Sequence, residues 1–137
     1  MYIAFGRTVL DTEEIKNKIE EESEFKVIKD MSKGTKREDT AAYNLSISIE
    51  TLNGIIEDDY SIEDLTEDEL FEEYISLSEE IATDLEGIFE EEAIMDVKAY
   101  KWDTSDNDIK LIIAAVHKDT GENKLKDIMR RLLTQLE

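Results

Sequence analysis

Few residues in this chain are equipped for chemistry. Asp103, Asp106 and Asp108 crowd one short stretch, and carboxylates are the ligands a hard divalent cation prefers. Their spacing lacks the D-x-[DN]-x-[DN]-G register, however, and Ala114 stands where an EF-hand would place its bidentate glutamate. The only histidine, His117, closes an apolar run beside Lys118 and Asp119 and reads as a strand-edge or core residue rather than a general base. With no cysteine there is no thiolate, disulfide or cysteine nucleophile. No G-x-S-x-G elbow, phosphate-cradling glycine loop or H-E-x-x-H pair occurs, so a non-catalytic protein without cofactor or bound metal is expected.

The acids are abundant and unevenly placed. Thirty-six Asp and Glu face sixteen Lys and Arg, a formal net charge of −20. Residues 57–92 hold seventeen acids and no base, and no Lys or Arg lies between Arg37 and Lys98. A demand for solubility alone would scatter acids among bases; these are gathered. The field of such a surface repels nucleic acid and anionic lipid and attracts basic proteins. Direct DNA binding is thereby excluded.

The segment that carries these acids has a helical period. Thr66 and Glu69 form a capping box, and Leu70, Tyr74, Leu77, Ile81, Leu85 and Ile88 follow at spacings of three and four. With that stripe inward, Glu72, Glu79, Glu86 and Glu90 form one outward row and Glu69, Glu73, Glu80 and Glu91 another. A helix over residues 67–91 would be roughly 37 Å long, about ten base pairs of duplex, so two such rows would imitate two lines of phosphates. Asp58, Asp59, Glu63 and Asp64, with Glu57, extend the field ahead of it. Like charges three or four residues apart cost a helix a few tenths of a kcal/mol per pair. The competing explanation is a solvated outer face.

Around this helix the pattern predicts an α+β domain of 137 residues. A strand over Tyr2 to Leu10 precedes a helix begun by Asp11 and Glu14, which offers Ile15 and Ile19 to a core. Phe25, Val27 and Met31 mark a second strand. Tyr43, Leu45, Ile47 and Ile49 alternate with polar residues along a third, with one face buried and one wet. Two more strands, Ile94 to Trp102 and Ile109 to His117, flank a polar turn, and the second is apolar on both parities, as a central strand should be. Tyr100 and Trp102 share a face with Lys98 in this reading. A last helix presents Leu125, Ile128, Met129, Leu132 and Leu136. The expected order is β-α-β-β-α-β-β-α: a mostly antiparallel five-stranded sheet covered on one face by three helices, its first six elements matching a ferredoxin-like βαββαβ order.

No apolar run reaches the length of a membrane span, and the N-terminus shows neither a basic leader nor a small-residue cleavage site, so a soluble cytoplasmic protein is expected. Lys33, Lys36 and Arg37 form a short basic loop, read as a solvated turn. In charge, size and lack of catalytic residues the chain resembles the acidic phage-encoded DNA mimics, including anti-restriction and anti-CRISPR proteins, and the immunity proteins of nuclease toxins. No family motif carries that likeness. It implies an inhibitor that occupies the basic channel of a nuclease or other nucleic-acid-binding protein, with Phe71, Ile75 or Trp102 supplying short-range contacts. Two alternatives are an assembly protein, such as a homodimer paired through amphipathic helices, and an enzyme or small-molecule binder built on the sheet.

Overall fold

The computed structural model describes residues 1–136. Over the described residues the chain is α+β, with two antiparallel sheets and four α-helices. The first expected strand is broken in two: β1 (Tyr2–Phe5) and β2 (Thr8–Asp11) make a hairpin apart from the main sheet. Its two-residue turn has Gly6 at φ 61°, the first position of a type II′ turn, whose twist suits hairpin strands. A Cβ on Gly6 would also stand 2.7 Å from the His117 ring. The hairpin presents Ile3 and Phe5 inward and leaves Tyr2 and Val9 exposed.

α1 (Thr12–Glu22) starts where Asp11 accepts a hydrogen bond from Glu13 N, and buries Ile15 and Ile19 as its spacing requires. The main sheet contains β3 (Lys26–Asp30), β4 (Thr40–Ser48), β5 (Ala93–Asp103) and β6 (Asp108–His117), in the order β3-β4-β6-β5. β6 is the central strand its double-sided apolarity demands. The sheet therefore has four strands rather than five. Because the N-terminal segment lies outside it, the ferredoxin-like order is not formed.

β4 does not run on to Ile49. Ser48 turns the chain, accepting a hydrogen bond from Thr51 N, and starts α2 (Ile49–Ile56), a fourth helix hidden because the apolar alternation continues through its cap. Nor is the second face of β4 wet: Asn44 and Ser46 are 7% and 8% exposed. Helices cover both faces. α1, α2, α3 (Glu67–Thr83) and the hairpin pack on one, around Tyr43, Leu45, Leu111 and Ile113. α4 (Glu122–Gln135) packs on the other, setting Leu125, Ile128, Met129 and Leu132 against Ala42, Ile112, Ala114 and Val116. Among the described residues, no helix is long and apolar enough to cross a membrane.

Candidate functional site

α3 carries the centre of the acidic surface. The Thr66–Glu69 capping box starts it, with Thr66 Oγ1 accepting from Glu69 N and Glu69 Oε1 accepting from Thr66 N at 3.1 Å. It stops at Thr83, where Asp84–Ile88 tightens into a 3-10 turn. Leu85 and Ile88, three residues apart, suit that tighter winding as well as they suit an α-helix. Seventeen α-helical residues span about 25 Å, roughly seven base pairs of duplex rather than ten.

The helix is also rolled relative to the sequence expectation. Tyr74, Ser78 and Ala82 face the core, the small side chains allowing close approach, while Leu70, Leu77 and Ile81 are only half-buried along a flank. That roll turns Glu79 inward: its Oε2 accepts from Ala99 N at 3.1 Å, satisfying a backbone donor on the edge strand β5. Glu69, Glu72, Glu73 and Glu80 remain exposed on α3, with Ser76 and Thr83 also exposed. Glu86 lies on the 3-10 turn and Glu90 beyond it, so neither continues a helical row; Glu90 Oε1 accepts from Thr8 Oγ1 at 3.1 Å. Asp58, Asp59, Glu63 and Asp64 are exposed in the α2–α3 connection. The eleven candidate carboxylates thus occupy three consecutive stretches, and three of them also bond to the fold.

None of the sixteen acids from Glu57 to Glu91 lies within 4.0 Å of a described basic group. Glu67, Asp68 and Glu69 suit the positive end of the helix dipole, but Glu79, Glu80 and Asp84 crowd its negative end, where no base stands. Three further acids join them through the fold. Glu21, Glu22 and Glu24, at the end of α1, line with Asp84 an open depression of about 520 Å³ floored by Ile81, Leu85 and Ile88. Sequence reasoning missed these glutamates because some sixty residues separate them from Asp84; the run Glu20-Glu21-Glu22-Ser23-Glu24 was the available signal.

One aromatic group interrupts the acids. A bulge between Ala99 and Lys101 adds a residue to β5, so Trp102 returns to the α3 side instead of sharing a face with Tyr100. Tyr100 bonds Asn44 Oδ1 on the α4 side. Trp102 lies under Phe71, with ring centroids 6.3 Å apart and planes 26° apart, and meets the edge of Tyr74 at 5.1 Å. Tyr74 is buried and donates its hydroxyl to Asn53 Oδ1 at 2.5 Å. Phe71 is 46% exposed.

The residues singled out for chemistry are occupied locally. Asp103, Asp106 and Asp108 do converge, offering oxygens within 4.8 Å of one another, but Lys110 Nζ lies 2.8 Å from Asp106 and Asp108 and 4.0 Å from Asp103. Burial opposes the Lys110 charge; its bonds to Asp106 and Asp108 prevail and push its pKa up to about 12. The cluster thus holds its own cation. His117 Nδ1 accepts from Asp119 N, which leaves the proton on Nε2, donated to Glu92 Oε2 at 2.8 Å. That bond, with Lys118 nearby, holds the Glu92 carboxyl below the ordinary carboxylate range. The basic loop is partly spent as well, since Arg37 grips Asp39 through two 2.8 Å bonds, while Lys33 and Lys36 stay exposed.

No family model, curated protein or solved structure matches the chain.

Proposed function

We propose that this is an acidic, non-catalytic antagonist that binds a basic, nucleic-acid-handling partner by presenting carboxylates where that partner expects phosphates. The observation that carries the reading is the run of sixteen acids without a base in reach, continued past the dipole's tolerance at the end of α3. Like charges at helical spacing cost stability, and the bases of this chain that do meet acids are spent on others: Arg37 on Asp39, Arg131 on Asp127, Lys110 on Asp106 and Asp108. An oppositely charged channel supplies the missing counter-charge on binding, with fast, salt-sensitive association. The 25 Å rod sets the scale of that channel at roughly seven base pairs, flanked by the acids of the α2–α3 connection.

Affinity capture from the native host tests this. The expected catch is a protein that binds nucleic acid, held at about 50 mM salt, released by about 500 mM, and lost when Glu72, Glu73 and Glu80 are changed to Lys. A catch with no affinity for nucleic acid, or one indifferent to salt, contradicts it.

Self-association is the second reading, and one observation favours it. The outward face of the hairpin exposes Tyr2 (73%) and Val9 (66%) beside Met1 (45%). The helices offer less, because their apolar stripes are consumed by the two cores. Light scattering on purified protein separates the readings: a salt-insensitive dimer that Val9→Glu dissociates supports the hairpin interface.

A further inference from the structure

We propose that the Phe71–Trp102 stack is a seat for an arginine side chain of the basic partner, an inference that rests on the electrostatic reading above and names the partner's contact residue. Phe71 is an apolar ring, 46% exposed, on a helix whose other exposed positions are six acids with Ser76 and Thr83. Its underside is fixed. Trp102 backs it at 26°, and Tyr74 braces Trp102 edge-on from a buried position with its hydroxyl held by Asn53. Trp102 itself is brought to this side by the β5 bulge, beside the backbone of Ala99 that Glu79 holds. The platform is therefore ordered before any partner arrives, and little side-chain entropy remains to be lost on binding.

Phe71 keeps nearly half of its surface open, and carboxylates lie on the turn before it. Glu67 and Asp68 precede Phe71 by four and three residues, which puts them one turn away on the same side. Neither has a basic partner among the described residues. A flat, weakly hydrated guanidinium can lie on the ring while its edge donates to a carboxylate. A lysine ammonium, compact and strongly hydrated, meets the carboxylates but gains less from the ring. The surface thus reads more than charge: it prefers arginine where a phosphate line, having no ring, would not distinguish the two in this way.

Trp102 is the only tryptophan, so its fluorescence reports on this place alone. The 137-residue chain is titrated with hexa-arginine and with hexa-lysine at equal ionic strength. Tighter binding of hexa-arginine is expected, by roughly two- to five-fold, with a change in Trp102 emission. Phe71→Leu, which keeps an apolar side chain but removes the aromatic face, should abolish the preference while leaving salt-dependent binding of both peptides in place. A thermal melt matching that of the wild type verifies that the variant is folded. Equal affinities in the wild type, or a preference that survives Phe71→Leu, overturn the arginine seat and leave the acidic surface standing. Failure of both peptides to bind, even at low salt, overturns both.

Discussion

Reversing one carboxylate on α3 should make the protein more stable and less able to hold its partner. Glu72 lies four residues after Asp68 and three after Glu69, and all three side chains are exposed. Each like-charge pair costs about 0.2–0.5 kcal/mol, and each acid-to-lysine pair of this orientation returns a similar amount. Glu72→Lys exchanges two repulsions for two attractions, a gain of about 1–2 kcal/mol at low ionic strength. For a domain of this size that raises the melting temperature by roughly 3–6 °C. Thermal unfolding followed by circular dichroism at about 20 mM and at about 500 mM salt measures it, since exposed pairs are screened at the higher concentration. The gain should shrink with salt. A destabilised variant, or a gain that salt does not touch, would refute the premise that these carboxylates are unpaired and mutually repulsive.

Other perturbations probe the parts that support this surface. Gly6→Ala must adopt φ near 61° and bring its Cβ to 2.7 Å from the His117 ring, so a loss of about 2 kcal/mol or more is expected by chemical denaturation. Glu79→Ala removes the acceptor for Ala99 N and should cost about 1 kcal/mol in urea melts, whereas Glu79→Gln keeps an acceptor oxygen and should cost less. Asp39, Glu92 and Asp103 are held below the ordinary carboxylate range: Asp39 by its bonds from Arg37, Glu92 by His117, and Asp103 by the Asp106 backbone N–H. Groups with lowered folded pKa values stabilise above the unfolded value and lose that contribution as pH falls through the folded one, so their share should begin to fall near about pH 4 and be lost at more acid pH. Asp39→Asn should flatten that part of the stability profile.

The sequence was most legible where one local rule acts alone. The caps at Asp11 and at Thr66 with Glu69, the buried pair Ile15 and Ile19, and the central position of β6 follow from spacing and residue type. It was least legible where a single residue changes the register. Gly6 folds one apparent strand into a hairpin, Ser48 turns a strand into α2 without breaking the alternation, and the β5 bulge moves Trp102 to the opposite face of the sheet. Periodicity also could not tell the end of α3 from its continuation, because Leu85 and Ile88 fit both windings. The acidic surface was legible as charge along the chain, but its shape was not. Packing of α1 against the 3-10 turn adds Glu21, Glu22 and Glu24, while the roll of α3 commits Glu79 to the edge strand.

Competition between this protein and nucleic acid for the purified partner tests the central claim most directly. Fluorescence anisotropy of a labelled duplex or single strand bound to that partner would be followed while the acidic protein is added. The account predicts full displacement, mutually exclusive occupancy, and loss of competition in the Glu72→Lys, Glu73→Lys, Glu80→Lys triple variant. A ternary complex in which the partner holds nucleic acid and this protein together, with undiminished affinity for each, would contradict it.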